Sequence, residues 1–489
     1  MGNAIERPSS HPTQRIVPAM KRISHSVTRL VNRTYSSWPH TSWPFASWQT
    51  ALRNTAILLI SFGAFQPYAQ GQSSSESPAV VPQVVSSEPQ QNYEPRWWKG
   101  NLHTHTFWSD GNDFPEMVAA WYADRNYNFL ALTDHNILSR NTRWMGLEQI
   151  ESRAGKGVLD RYQSRFGTQW VETREMANGV EVRLKPLDEV RGLFERSGEF
   201  IMIEGEEISD KAEGKPIHIN ATNLAQLIQP AGGATVSETI RNNLRTIIEQ
   251  EKELGLQILP HLNHPNFGYA VTAADLAAVI EERFFEVYNG HPGVNHLGDD
   301  THLGIEPMWD VINVMRLVYL KAPPIYGIAT DDSHEYHGRP GSRPGRGWVM
   351  VRSKHLSPEH LIIAMKSGEF YASSGVTIDS IQFDPQTKKL KLAIQPTTGV
   401  EYETHFIVVD RPVDGSIDDS IALPDLKVDS LPKAYVKTKL KGTAPSYQLD
   451  GSELYVRAVV FSNRAPVDPV WKGQLEQAWT QPLGWKIED

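Results

Sequence analysis

The segment Asn101-Leu-His-Thr-His-Thr-Phe-Trp-Ser-Asp-Gly111 places two imidazoles and a carboxylate beside a short apolar run. His103 and His105 are two apart, and an extended strand sends alternate side chains to one face, so both rings can reach one ion. Asp110 follows in a Ser-Asp-Gly turn, near enough to serve the same ion or a neighbour. Imidazole with carboxylate is a ligand set suited to Zn, Mn or Fe. The pattern recurs. Phe129 to His135 ends in Thr-Asp-His, and Phe200-Ile-Met-Ile-Glu204 leads into Gly205-Glu-Glu-Ile-Ser209. His218 sits in Ile-His-Ile-Asn, and Leu256 to His264 carries His261 and His264. Phe284 to Asn289 follows, and Ile325 to His334 closes the series with Asp331, Asp332 and His334.

Short apolar runs ending in polar, metal-capable residues imply buried strands with function at their C-terminal ends, as in a parallel α/β barrel. Helices are expected between them. Phe114 to Tyr127 has apolar residues at helical spacing, and Thr235 to Leu254 is long with Gly255 behind it as a stop. Thr272-Ala-Ala-Asp resembles a capping box, and Ser357-Pro358-Glu359 opens a helix with Pro at its first position. Residues 141 to 198, rich in charge, read as a helical insertion over the mouth.

The order His103-x-His105, Asp110, Thr133-Asp-His135, Gly-x-Glu207, His218, His264-Pro and Asp332-x-His334 resembles that of the PHP (polymerase and histidinol phosphatase) metallohydrolases over about residues 96 to 375. Tyr288-Asn-Gly-His291, Ala329 to His334, Pro344-Gly-Arg-Gly-Trp348 and Ala478-Trp-Thr-Gln-Pro482 further resemble the carbaryl-hydrolase-like branch. The resemblance implies a distorted (β/α)7 TIM-like barrel with two or three divalent ions (Mn, Zn or Fe) at its C-terminal face. His103, His105, Glu207 and Asp332 would hold one ion, and Glu207 would bridge to a second held by His218 and His264. Asp110, His135 and His334 would hold a third. Glu206, Asp331 and His261 compete with Glu207, Asp332 and His264 for these places.

Such ions can share a hydroxide made at neutral pH and stabilise attacking and leaving oxygens, so no protein nucleophile is needed. The chain has no Cys and no Gly-x-Ser-x-Gly elbow. Asp332, His334 or His135 could also move a proton. Asn289, His291 and His337 are candidate substrate contacts, as is Arg346 in a Gly/Pro-rich loop, where a guanidinium could grip an anionic small molecule. The same loop holds Arg339 and Arg343. Asn263, Asn289 and Thr133 could orient ligands, whereas His296 reads as a loop histidine and Trp97-Trp98 as packing.

Residues 1 to 71 hold seven basic residues against one acid and an apolar run from Thr55 to Phe65, which reads as a signal peptide with a long n-region. Its removal leaves about −15 against −9 for the whole chain, which argues against nucleic acid as a partner. The expected protein is exported, to periplasm or beyond, with no stable membrane span, the alternative being an uncleaved N-terminal anchor. Met20 is an alternative start. Residues 72 to 95 read as a disordered linker, and residues 376 to 489 as a small antiparallel β-sandwich-like domain. The expected function is a metal-dependent phosphoesterase. A carboxylic or carbamate ester hydrolase with the same site is one alternative, and a catalytically silent metal-binding protein another.

Overall fold

The computed structural model describes residues 94–412 and 421–487. The signal-peptide segment and nearly all of the expected linker lie outside these residues. Among the described residues no helix is long and apolar enough to cross a membrane.

Seven strands carry the residues singled out above: β1 (Arg96–Asn101), β2 (Phe129–Leu132), β3 (Ile201–Ala212), β4 (Lys215–Thr222), β5 (Leu259–Leu262), β6 (Phe284–Asn289) and β7 (Tyr326–Thr330). They lie side by side in the order β7-β6-β5-β4-β3-β2-β1. Strands β2, β5, β6 and β7 are buried along their whole length, which is why they read as mostly apolar runs. The all-parallel expectation fails at β4, which runs antiparallel to both β3 and β5. Only Glu213 and Gly214 separate β3 from β4, both at positive φ (52° and 77°), which makes a two-residue hairpin turn with no room for a crossover helix. Strands β1 and β7 meet at their C-terminal ends, where Thr104 and Ser333 form a parallel bridge. His105 N donates to Ser333 O there at 3.0 Å. Among the described residues the seven strands form part of an open strand order; no ladder joins β7 to β1.

Trp98, Phe129, Ala131, Ile203, Leu259, Phe284 and Ile328 project from six of these strands into one apolar cluster. This plug fills one end of the strand set, and the polar residues of the strand ends lie beyond it.

Helices form where the caps were legible. Thr235 accepts from Glu238 N ahead of Val236–Leu254, and Gly255 stops that helix at φ 64°. Thr272 and Asp275 make a reciprocal capping box before Ala273–Ala278. Ser357 caps Pro358–Lys366. The first helix is shorter than its apolar pattern, Pro115–Ala123. The insertion is not purely helical. Arg143–Gly146, Gly179–Leu184 and Thr173–Met176 form a three-stranded antiparallel sheet beside the helices Leu147–Ala154, Val158–Phe166 and Leu187–Phe194. Val180, Val182 and Leu184 alternate with charged residues there, a period of two that fits a strand.

Beyond β1 the sheet continues through Trp348–Ser353, Phe370–Ser373, Gln477–Thr480, Glu453–Ser462, Tyr402–Asp410 and Ala434–Lys441, thirteen strands in all. Ile378–Asp384, Lys389–Ile394 and Ser446–Gln448 form a separate three-stranded sheet. Leu390, Leu392, Phe406, Val408, Val456 and Ala458 pack the two layers together. Arg457 is tied to Asp310 on the helix Ile305–Val314 at 2.6 Å, and the Tyr455 hydroxyl donates to the same carboxylate at 2.7 Å.

Candidate metal centre

His103 and His105 leave the end of β1 and are fully buried, with their Nε2 atoms turned toward two carboxylates. His103 Nε2 lies 3.4 Å from Glu207 Oε2 and 3.2 Å from Asp332 Oδ1. His105 Nε2 lies 3.2 and 3.3 Å from the same two oxygens. Four ligands held about 2.1 Å from one ion are separated by roughly 3.4 Å, the edge of a tetrahedron. His103 Nε2, His105 Nε2 and Glu207 Oε2 are buried without any hydrogen-bond partner. Buried polar atoms left unpaired are costly, and three of them converging on one point fit a divalent cation.

Glu207 divides its carboxylate. While Oε2 faces His103 and His105, and His135 Nδ1 at 2.9 Å, Oε1 lies 2.8 Å from His218 Nδ1 and 3.5 Å from His264 Nε2. Asn263 donates to the same Oε1 at 2.9 Å and to Asn220. A third group gathers on Asp110 Oδ1, which is 3.2 Å from His334 Nε2, 3.4 Å from His135 Nε2 and 3.5 Å from His105 Nδ1. Asp110 is 58 % exposed, so this group faces solvent while the first is sealed.

The electrostatics follow from crowding. Burial alone would raise the Glu207 carboxyl, but His135, His103 and His218 hold it well below the usual range. Burial opposes charge on His103 as well, and Asp332, Glu286 and Glu207 overcome it, holding the imidazole well above its ordinary value. The cluster thus demands positive charge among its carboxylates, which either protonated imidazoles or bound cations could supply. His264 (φ 24°) and Asp332 (φ 48°) both adopt left-handed backbone, a strain that places their side chains at the strand ends.

Each adjacent pair is separated by what its members touch. Asp331 accepts from the N–H groups of Gly345, Arg346 and Gly347 and from the Tyr122 hydroxyl, so it anchors a loop while Asp332 faces the histidines. Glu206 points the other way, accepts from Ile228 N at 2.7 Å, and is pushed up to about 8 by burial. His261, buried with both ring nitrogens unpaired, lies 3.6 Å from Glu286 Oε1 and groups with His103 and Glu286 as a further metal-capable set, while His264 Nε2 lies 3.5 Å from Glu207 Oε1.

Glu286, fully buried on β6, is the residue that sequence reasoning missed. Its Oε1 takes His103 Nδ1 at 2.7 Å and the Thr330 hydroxyl at 2.6 Å; its Oε2 takes His264 N and Asn289 Nδ2, both at 2.7 Å. A carboxylate behind an imidazole fixes the tautomer that leaves Nε2 free for metal. The available signal was a lone carboxylate inside the apolar run Phe284 to Tyr288, which burial makes expensive unless it is paired. Asp134 was also passed over. It accepts from Thr106 N, Ser109 N and the Ser109 hydroxyl, shaping the turn that presents Asp110.

Of the expected substrate contacts, Arg346 is turned into the fold: its guanidinium donates to Gly290 O, Gly341 O and Asp468. Asn289 donates to Glu286 and, at 3.1 Å, to Asp332 Oδ2, contacts that fit the ligand-orienting alternative. His337 contacts Asn112 O at 2.9 Å and Arg161, latching its loop to the insertion. His291 stays at the rim, its ring centre 6.0 Å from that of His334. His296 is buried against Tyr288 and Trp471, and burial lowers it to about 4. Thr133 accepts from Thr104 N, and Trp98 donates to Ser353 O.

No protein-family model matches the chain, and no curated protein matches it. Among solved structures it is similar to a two-domain protein containing a predicted PHP-like metal-dependent phosphoesterase from Bacteroides vulgatus ATCC 8482. That similarity is at 14% identity and TM-score 0.35, covering 80% of this chain and 96% of that one. A second likeness is to a candidate metal-dependent phosphoesterase from Bifidobacterium adolescentis ATCC 15703, at 11% identity and TM-score 0.25, covering 51% of this chain and 92% of that one. The site's own geometry has to carry the functional reading.

Proposed function

We propose that this chain is a PHP-type metal-dependent hydrolase that cleaves a phosphoester on a small, anionic molecule. The observation that carries this is the division of Glu207, one buried carboxylate with each oxygen turned to a different set of histidines. On this reading His103, His105, Glu207 and Asp332 hold one ion, Glu207, His218 and His264 a second, and Asp110, His135 and His334 a third. Bound divalent ions, Mn, Zn or Fe, would supply a hydroxide at neutral pH and neutralise charge developing on the transferred group. The chain's own part is orientation: Glu286 and Asn289 fix His103 and Asp332, and Asn263 fixes Glu207. His334 and His135 flank the half-exposed Asp110 side, where a proton can pass to water, and the buried Asp332 lies behind His334, 3.5 Å from its Nδ1.

The same reading treats β1 to β7 as a distorted (β/α)7 barrel and the amino-terminal segment as an export signal. It takes no nucleic acid as partner. The test is metal analysis of the purified protein, then hydrolysis of phosphomonoesters, phosphodiesters, and carboxylic and carbamate esters, with His103→Ala and Asp332→Ala as controls. Metal-dependent phosphoester turnover lost in both variants is the expected result. Turnover of carboxylic or carbamate esters alone would move the reading to the carbaryl-hydrolase-like branch. Metal without turnover would make the protein a binder, and absence of metal would end the proposal.

A further inference from the structure

The turn that carries Asp110 is held by the insertion. Arg143 donates from Nη1 to Trp108 O, and Arg153 donates from Nη2 to Gly111 O, so two guanidiniums grip carbonyls on either side of Asp110. Both cations also lie over aromatic rings of the same turn, Arg143 at 5.5 Å from the centre of Trp108 and Arg153 at 5.2 Å from that of Phe107. Trp108 returns the contact, its Nε1 donating to Lys185 O at 3.1 Å. Arg339, from the loop after His334, donates to Arg153 O and so ties the grip to the other side of the site. Phe107, Trp108 and Phe114 share one apolar cluster with Met145, Ile150, Val158, Tyr162 and Val182 of the insertion. The turn must be pressed home to fit. A Cβ at Gly111 would come within 2.4 Å of the His105 carbonyl, so only glycine lets the turn lie flush against that residue.

Asp110 needs such bracing. It is the most exposed member of the centre, and a carboxylate on a free turn would sample many positions for each one that meets His135 and His334. We propose that Arg143 and Arg153 are positioning residues for the third ion, so that the insertion completes that site while the ions on Glu207 are held without it. This inference rests on the metal-centre reading above and adds to it a division of labour between β-strand ends and insertion.

The test compares wild type with Arg143→Ala/Arg153→Ala, Asp110→Ala, the triple variant, and Arg174→Ala as a control. Arg174 lies elsewhere in the insertion, stacked on Trp144 and paired with Glu181. Each protein is equilibrated with Mn2+, desalted and analysed for metal per chain, with circular dichroism to confirm folding. The expected result is one ion fewer per chain in the arginine double variant and in Asp110→Ala, no further loss in the triple variant, and no change in Arg174→Ala. In a Mn2+ titration the weakest site of the arginine variant should lose about 10- to 100-fold in affinity. Full metal content in the arginine variant would overturn the inference, as would loss of every ion. A wild type holding only two ions would overturn it too while leaving the Glu207 centre standing; a wild type holding none would remove the metal-centre reading itself.

Discussion

Glu286 stands behind His103, its Oε1 2.7 Å from Nδ1, and with its other oxygen it takes the backbone N–H of His264. One buried carboxylate therefore sets the orientation of histidines assigned to two different ions. Glu286→Gln keeps the shape and removes the charge. Metal affinity measured by chelator competition should fall about 10- to 100-fold, the range found when a partner behind a metal-binding histidine is removed. Unchanged affinity would mean that His103 needs no charged partner on Nδ1.

Glu206 and Glu207 are neighbours with opposite fates. Glu207→Gln should cost two ions, because both oxygens are committed, whereas Glu206→Gln should leave metal content intact. Glu206 is pushed up to about 8 by burial and is protonated at neutral pH, so its amide replacement is nearly isosteric and isoelectric. Metal analysis of the two variants side by side reads this directly.

Arg346 serves the architecture. It joins Gly290, Gly341 and Asp468, the last far along the chain. Arg346→Ala should lower unfolding free energy by about 2 kcal/mol through lost charged hydrogen bonds, measured by denaturant titration. The Michaelis constant should not move. A raised Michaelis constant at unchanged stability would return Arg346 to substrate binding.

Glu282 gives a pH dependence remote from the metal centre. Burial raises its carboxyl from 4.5 to about 8, against the pull of the Phe284 N–H and Arg316. The folded state therefore binds a proton that the unfolded state releases, and stability falls as pH rises between about 4.5 and about 8. Each pH unit crossed costs up to about 1.4 kcal/mol. Glu282→Gln should flatten that decline. If the stability difference between variant and wild type is the same near pH 5 and near pH 8, the carboxyl is already ionised in the folded protein.

The strand ends were legible because burial leaves a simple trace, an apolar run that stops at a histidine or carboxylate. Caps such as Thr235, Thr272 and Ser357 were legible for the same local reason. The β3–β4 hairpin was not, since nothing in Asp210 to Pro216 except Gly214 marks a two-residue turn, and repeated strand-helix alternation favoured a crossover. The role of Arg346 was hidden by distance: its partner Asp468 lies 122 residues away, and a sequence read locally offers an anion in its place. Glu286 was overlooked because metal motifs draw attention to ligands, and a carboxylate that orients a ligand has no spacing rule of its own. The insertion's sheet was masked by charge, which conceals a period of two when only helical periods are sought.

The ladder that joins Phe370–Ser373 to Gln477–Thr480 also shields an edge. Ala372 pairs with Trp479 there, and both are buried. A chain stopped after residue 375 would leave a row of open amides and carbonyls flanked by apolar side chains, an adhesive seam for another copy of itself. The carboxy-terminal strands thus cover that edge, and a shortened protein should be recovered as aggregate or filament before its chemistry can be assayed.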